Sequence, residues 1–144
     1  MGLDRRGGGE LFVDPPFCQA VDEVKCRRGV RDYTTIRKRY MRDSMPIRLG
    51  GLAANLARVK SFSNYADNDV LVNSLLDESK YFIEWTAAEA DAEVTAELVQ
   101  LQLQLARWQR KWPSIWADET QRMAMAETAK QWSERVLDLS GLLA

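Results

Sequence analysis

Two runs of apolar residues, one on each side of Pro113, recur with spacings of four and three residues. This repeat places apolar side chains along one seam of a helix that packs against another helix, as in coiled coils. The seam before the proline comprises Val94, Leu98, Leu101, Leu105, Trp108 and Trp112, and the seam after it comprises Met125, Ala129, Trp132, Val136, Leu139 and Leu143. Two such seams joined at a proline predict a long antiparallel helical hairpin.

The ends of the first two helices follow from their capping residues. A first helix is predicted to begin near Ser44-Met45-Pro46, since proline is tolerated in a first helical turn. The cluster Asp67-Asn68-Asp69 interrupts the chain and supplies good N-cap residues for the next helix. From there to Trp112 the sequence contains neither Gly nor Pro. This predicts one central helix over about residues 69–112, on the order of 65 Å long.

The third helix is predicted from about Ile115 to Leu143, or from a capping box formed by Asp118 and Gln121. The stretch 99–105 alternates apolar and polar residues with a period of two, which is a strand signal. Strong helix formers flank it on both sides and no turn residue bounds it, so we predict helix there as well. The predicted fold is therefore an all-α, antiparallel three-helix bundle over residues 45–144.

Pairing of the two seams around Pro113 predicts which side chains meet. It places Leu98 near Ala129 and sets the ring of Trp132 over small residues around Ala90 and Val94. A large ring facing small residues gives good complementarity of volume. The same reasoning, applied to the turn at residues 67–69, pairs the first helix with the beginning of the central helix. Because the first helix is short, its far end is expected to lie beside Trp85 of the central helix.

Beyond Trp85 the predicted hairpin has only two helices, and its outer half is uncovered. A second apolar stripe remains there, formed by Ala92, Ala96, Val99 and Leu103 on the central helix and Met123 on the third. A two-helix hairpin with apolar flanks is not stable alone in water. Either the N-terminal arm folds back over this half or a second copy packs on it, and we favour a homodimer with twofold symmetry, whose second copy completes a four-helix core.

The residue inventory excludes several kinds of chemistry. The chain contains no His, which removes histidine-based acid–base catalysis and histidine metal ligands. Cys18 and Cys26 do not have the spacing of a redox or metal motif, and they are expected to be free thiols. Neither a signal peptide nor an apolar run long enough to span a membrane is visible. We predict a non-enzymatic cytoplasmic protein that holds neither metal nor cofactor.

Five carboxylates form an acidic band that needs a separate interpretation. They are Glu84, Glu89, Asp91, Glu93 and Glu97. A magnesium site made only of carboxylates draws its ligands from two facing helices, and the predicted third helix offers no matching cluster. A solvated helix face is therefore the favoured interpretation.

The tip of the predicted hairpin combines aromatic and cationic side chains. Its residues are Arg107, Trp108, Arg110, Lys111, Trp112 and Trp116. Tryptophan and arginine are enriched at the energetic centres of protein interfaces, so the tip is a candidate partner-binding surface. In the alternative interpretation, the indoles close the end of the core while the cations complement the helix dipole.

The N-terminal region has a different charge from the rest of the chain. Residues 1–48 carry 11 Lys and Arg against 7 Asp and Glu, whereas residues 49–144 carry 9 against 14. We predict that residues 1–44 form a basic, partly flexible arm with two possible short helices, 17–28 and 32–43, the second capped by Asp32.

Part of this arm is similar to a known DNA-binding motif. Residues 23–37 combine a short helix, a Gly29-Val30 turn and a second helix that contains threonine, and in this they resemble helix-turn-helix segments. Lys25 and Arg28 replace the small and apolar residues usual at their positions. The resemblance implies a nucleic-acid interface comprising Arg31, Thr34, Arg37, Lys38, Arg39 and Arg42.

Three functions remain open from the sequence. The favoured one is a homodimeric interaction or adaptor protein that binds a protein partner through its helix faces and its tryptophan-rich tip. The alternative is a nucleic-acid-associated regulator that uses the basic segment 17–43. A small all-α enzyme, with Arg, Lys and Glu in a cleft between helices, is the third. Salt dependence distinguishes the second from the first, because phosphate contacts weaken steeply with ionic strength.

Overall fold

The structure, a computed structural model, describes residues 32–143, and every regular element in that range is helical. The elements are α1 (Tyr33–Met41), α2 (Met45–Phe62), a short 3-10 helix (Ala66–Asn68), α3 (Asp69–Ala87), α4 (Ala92–Arg110), α5 (Trp112–Ala117) and α6 (Glu119–Ser140). The all-α prediction is confirmed for this part of the chain. The predicted helix 17–28 and both cysteines lie outside the described residues.

The chain divides into two compact units, Met1–Ile36 and Arg37–Ala144. The described part of the first unit is the beginning of α1. There the carboxylate of Asp32 accepts hydrogen bonds from the backbone N–H of Thr34 at 3.1 Å and from the Thr35 hydroxyl at 3.2 Å. The predicted cap at Asp32 is thus confirmed.

The other predicted capping residues also begin helices. α2 starts at Met45 with proline in its first turn, and α3 starts at Asp69. At α6 the carboxylate of Asp118 accepts from the side-chain amide of Gln121 at 3.1 Å and from the backbone N–H of Thr120 at 3.0 Å. These bonds hold the pKa of Asp118 below its ordinary value, and the bond from Gln121 contributes most. The third helix therefore begins at the predicted Asp118 cap, while α5 occupies the segment 113–117, where a wider turn was expected.

α2 forms the centre of the core because it packs against both α3 and α6. Its apolar stripe is fully buried, and it comprises Leu49, Leu52, Leu56 and Val59. Toward α6 the contact is made by small residues: Ala129 is 0% exposed, and the Ser133 hydroxyl donates to the carbonyl of Ala53 at 2.7 Å. Toward α3, the Asn55 side chain donates to Glu78 at 3.2 Å, in agreement with the predicted antiparallel register of these two helices.

The single central helix predicted over residues 69–112 is wrong. The helix ends at Ala87, and α4 begins at Ala92. Asp91 caps the new helix by accepting from the backbone N–H of Val94 at 3.0 Å, and the Thr95 hydroxyl donates to the Ala87 carbonyl at 3.0 Å. Good helix formers occupy the break, so propensity alone favoured continuity. The break prevails because it lets α4 fold back onto α3.

This fold-back buries the apolar seam of α4 within the same chain. Leu98, Leu101 and Leu105 are each 0% exposed. A polar contact fixes the far end of the helix pair: the Gln109 amide donates to Asn73 at 2.8 Å. Burying a leucine side chain stabilises a fold by about 1.5–3 kcal/mol, so three of them outweigh the loss of a few helical hydrogen bonds at the break.

The hairpin predicted around Pro113 is also incorrect in its main contact. α6 packs most closely on α2, and its contact with α4 is weaker. An ion pair of 2.5 Å between Arg135 on α6 and Glu97 on α4 marks that second neighbour. Trp132, predicted to lie over small residues around Ala90 and Val94, is only half-buried. The small residues of α6 allow a closer approach to α2 than its large ring allows to α4.

Candidate interaction surfaces

The tryptophan-rich tip forms part of the core. Trp108, Trp112 and Trp116 are each between 7% and 9% exposed. The rings of Trp112 and Trp116 stack with centroids 5.1 Å apart, and the Trp116 indole N–H donates to the Ala66 carbonyl at 2.7 Å. The indoles therefore close the end of the core, as the alternative interpretation expected. Partner binding at this tip stays a prediction.

The cations of the predicted tip surface, in contrast, face solvent. Arg107, Arg110 and Lys111 are exposed. The structure thus divides the six predicted residues into a buried aromatic half and an exposed basic half. A partner protein at the tip would meet the cations and not the faces of the indoles.

A cation that sequence reasoning missed lies beneath the tip. Arg122 of α6 is 8% exposed, and it donates to the carbonyls of Ser63 at 3.1 Å and Trp116 at 2.7 Å. Its guanidinium also lies over the Trp116 ring, 5.3 Å from the centroid. Both carbonyls belong to helix C-terminal turns, whose partial negative charge a buried cation offsets. This arrangement stabilises the fold and leaves the guanidinium little access to a ligand.

The predicted dimer face lies mostly on one side of α4. The described chain leaves that side uncovered: Ala92 and Ala96 are exposed, Val99 is 47% exposed and Leu103 is 45% exposed. It lies opposite the buried seam of α4, since residues four and seven apart share a helix side. Met123, the fifth predicted residue, lies on α6 and is half-buried. We call the exposed side, which also includes Ala106, the outer face of α4.

A buried tyrosine attaches α1 to the core. Tyr40 is 7% exposed, and its hydroxyl donates to the Arg48 carbonyl at 2.8 Å and lies 3.0 Å from the Thr86 hydroxyl. Its ring stacks on Phe82 with centroids 4.1 Å apart. Burial raises the pKa of Tyr40 to about 12. The phenol is therefore neutral at physiological pH and acts as a structural contact.

Arg48 fixes the turn between α1 and α2. Its guanidinium donates to the carbonyls of Met41 at 3.1 Å and Asp43 at 2.9 Å, and it forms an ion pair of 2.7 Å with Glu89. The side chain is largely buried, while Glu89 stays half-exposed. One feature of the sequence hints at this role: Arg48 lies directly before Leu49, the first residue of the apolar stripe of α2. Its partner 41 residues away could not be read from one sequence.

The side chains of the predicted nucleic-acid interface point to solvent where they are described. Arg37, Lys38, Arg39 and Arg42 are exposed, and so is Thr34 in the first turn of α1. None of the four cations forms an ion pair or a side-chain hydrogen bond with another residue of the described range. Arg31 lies outside the described residues. Within residues 32–143, these cations are therefore exposed and without a charged partner.

A groove runs along α2 between α3 and α6. It is lined by Gly50, Gly51 and Ala54 of α2, Phe82 of α3 and Leu137 of α6, and its volume is about 560 Å³. A β-carbon placed on Gly50 would lie 2.9 Å from the end of the Leu142 side chain, so the glycine allows the C-terminal residues to approach.

The polar groups at one end of this groove satisfy one another. Asn55 is 2% exposed; it accepts from Arg58 at 2.8 Å and donates to Glu78 at 3.2 Å. Because both ends of this amide are already partnered, the network closes that end of the groove and leaves no buried group unpaired there.

Three of the five carboxylates of the acidic band make structural contacts, while Glu84 and Glu93 are exposed, as a solvated helix face predicts. Glu89 pairs with Arg48, Glu97 pairs with Arg135, and Asp91 caps α4. Within residues 32–143 no group of three or more cysteine or acidic side chains is arranged to hold a metal ion. Over the same range, no helix combines the length and the apolar character that crossing a bilayer requires.

Comparisons of the chain with protein-family models, with curated proteins and with solved structures find no match. The geometry of these surfaces is therefore the basis for a functional proposal.

Proposed function

We propose that the protein is a non-enzymatic helical interaction module that forms a homodimer through the outer face of α4. The observation that carries this proposal is that α4 is apolar on two opposite sides, and the described chain buries only one of them. A solvent-exposed helix side of a monomer is normally polar, and a continuous apolar stripe on it is typical of an association surface.

The outer face is complementary to itself when two copies of α4 pair in antiparallel fashion. Small residues, Ala92 and Ala96, occupy its N-terminal half, and the larger Val99 and Leu103 follow. A twofold axis near position 97 sets Ala92 opposite Leu103 of the partner subunit, and Ala96 opposite Val99 of the partner subunit. Each large side chain then meets a small one, which favours close packing without voids.

The charges of α4 favour the same antiparallel orientation. Its beginning is acidic, with Asp91 and Glu93, and its end is basic, with Arg107 and Arg110. Antiparallel pairing brings the acidic end of each copy toward the basic end of the other and also opposes the two helix dipoles. Parallel pairing would instead place like charges side by side, which is unfavourable.

Sedimentation velocity of the full chain, over micromolar to millimolar concentrations, tests the dimer. We expect the mass of a dimer at the higher concentrations. Replacing both Val99→Glu and Leu103→Glu should restore the monomer, because four buried carboxylates would face one another in the interface. Circular dichroism should show unchanged helicity, since both side chains point away from the core.

The matched control replaces two exposed apolar residues elsewhere, Val70→Glu and Leu71→Glu at the start of α3, which are 77% and 44% exposed. This variant should associate as the wild type does. A wild-type chain that stays monomeric throughout the range, or a Val99→Glu/Leu103→Glu variant that still dimerises, would contradict the proposal.

The proposed adaptor role also includes the tip, but only through its exposed cations. Since the indoles are buried, a protein partner would meet the exposed cations Arg107, Arg110 and Lys111. This rim continues from the C-terminal end of the outer face of α4, so the two surfaces are adjacent. An acidic partner surface suits it, because complementary charge accelerates association and selects against basic partners.

A further inference from the structure

α1 presents its cations on the side that faces away from the core. Tyr40 points inward and is buried, while Arg37, Lys38, Arg39 and Arg42 are all exposed. Successive helical residues are rotated by about 100°, so Lys38, Arg39 and Arg42 lie about 100–160° from Tyr40, while Arg37 lies about 60° from it, at the edge of the inward side. The exposed surface around α1 therefore carries four cations within about one and a half helical turns.

The backbone that carries these cations is fixed before any ligand arrives. Tyr40 holds the helix through the Arg48 carbonyl and through its stack on Phe82. The Arg48 guanidinium occupies the carbonyls of Met41 and Asp43 and so offsets the negative end of the helix dipole. An anion that approaches this end of α1 thus meets side-chain cations rather than unsatisfied carbonyl oxygens.

Charge is concentrated at this one place. In residues 37–43 four cations are accompanied by a single carboxylate, Asp43, whereas residues 49–144 carry 9 Lys and Arg against 14 Asp and Glu. A basic patch beside an acidic body favours an approach of the protein to a polyanion through that patch.

We infer that Arg37, Lys38, Arg39 and Arg42 bind the phosphate backbone of a nucleic acid. Three of the four are arginines, whose planar guanidinium matches phosphate oxygens in a bidentate fashion. The segment rises about 7.5 Å along the helix axis, and a duplex carries about one charge per 1.7 Å, so several phosphates lie within reach. The contact reads charge and backbone shape, and it is independent of association through α4.

The composition of this surface favours a nucleic acid over a membrane. A helix that lies on an anionic bilayer inserts large apolar side chains beside its cations. Among residues 32–143 the exposed large apolar side chains all lie outside α1, at positions 47, 65, 70, 71, 99, 103, 142 and 143. α1 offers no such anchor on its outward side.

The test is fluorescence anisotropy of a labelled DNA duplex titrated with the full chain at 50 mM and 200 mM NaCl. With three to four phosphates neutralised, affinity should fall by about 40- to 150-fold between these salt concentrations. Arg37→Ala together with Arg39→Ala should lower the salt exponent by about 2 and weaken binding at 50 mM salt. The matched control, Arg58→Ala with Arg135→Ala, removes two exposed arginines from other helices and should leave the exponent unchanged.

Three results would overturn the inference: no binding at 50 mM salt, equal losses for both arginine pairs, or tighter binding to anionic lipid vesicles than to the duplex. Circular dichroism of each variant guards against misfolding. The Val99→Glu/Leu103→Glu variant should keep the salt dependence per chain of the wild type, which separates this inference from the proposed dimer.

Discussion

Tyr40 and Arg48 lie where α1 turns into α2, and together they attach a basic helix to an acidic core. Tyr40 supplies the buried ring and Arg48 the hydrogen bonds to the turn. The partners of these two side chains, Thr86 and Glu89, are 46 and 41 residues away in the chain. Sequence patterns identify local spacing and helix sides, so contacts of this kind could not be predicted.

Arg48→Met should destabilise the protein by about 3–6 kcal/mol. The thioether keeps much of the apolar volume, but two backbone carbonyls lose a charged donor, and such bonds contribute about 1.5–3 kcal/mol each. Glu89 is half-exposed, so it is not stranded in the core. Urea denaturation measures the effect, with Arg58→Met on the exposed side of α2 as the control. Equal midpoints for the two variants would refute this role of Arg48.

The raised pKa of Tyr40 predicts a loss of stability at high pH. Burial raises its pKa from 10.0 to about 12 in the folded protein. The folded state therefore prefers the neutral phenol, and the unfolded state releases its proton at lower pH. The contribution is complete below pH 10 and is lost as the pH rises from 10 to 12, amounting to about 2–3 kcal/mol.

Tyr40→Phe isolates this effect from the other groups that titrate at high pH. The difference in unfolding free energy between the wild type and this variant should shrink between pH 10 and 12 and then reverse or level out. Urea midpoints at pH 8, 10, 11 and 12 provide the comparison. A difference that does not change with pH would show that the phenol is not buried as described.

At the scale of helices, the residues where helices begin could be predicted from the sequence more accurately than the residues where they end. Ser44 with Pro46, the cluster around Asp69, and Asp118 all mark true helix starts, although only Asp118 accepts a hydrogen bond through its side chain. The break at 88–91 is not evident from the sequence because Ala88, Glu89 and Ala90 are all compatible with helix. Its cap, Asp91, was visible in the sequence, but no Gly or Pro accompanied it.

The sign of the stability change in Asp91→Ala tests whether the helix is interrupted at residues 88–91. With Asp91 as the N-cap of α4, the substitution should destabilise the protein by about 1 kcal/mol. In a continuous helix Asp91 would be an interior residue, and alanine would stabilise it by up to about 0.7 kcal/mol. Chemical denaturation gives the sign directly. Asp118→Ala, at the corresponding cap of α6, should cost a similar amount, and a higher midpoint for Asp91→Ala would contradict the fold-back.

At the scale of the whole molecule, the fold-back of α4 onto α3 changes the role that a second copy of the chain would have in a dimer. The sequence predicted that the outer half of a long hairpin must be covered, and a dimer was one solution. The chain covers that half itself by burying Leu98, Leu101 and Leu105 between its own helices. The stripe at Val99 and Leu103 remains outside, as its separate periodicity indicated. The proposed dimer therefore joins two folded cores and does not complete one.

The antiparallel arrangement of that dimer makes a geometric prediction for spin labels. With the axis near position 97, labels at Arg110→Cys should lie about 38 Å apart along the helix axis, because each is about 12.5 residues from the axis. A parallel dimer would bring them within the 8–10 Å that separates packed helices. Labels at Gln100→Cys, close to the axis, should be near one another in either case and confirm that a dimer is present.

The long distance is measured by pulsed electron–electron double resonance, and the short one by line broadening in continuous-wave spectra. Both use the full chain, with Cys18→Ser and Cys26→Ser to remove the native thiols. A distance near 40 Å at Arg110→Cys, together with strong broadening at Gln100→Cys, supports antiparallel pairing. Adding Val99→Glu and Leu103→Glu should abolish both signals, because only the interface brings the labels together. Broadening at Arg110→Cys would instead require parallel pairing, and would set Asp91 and Glu93 beside their own copies in the partner subunit.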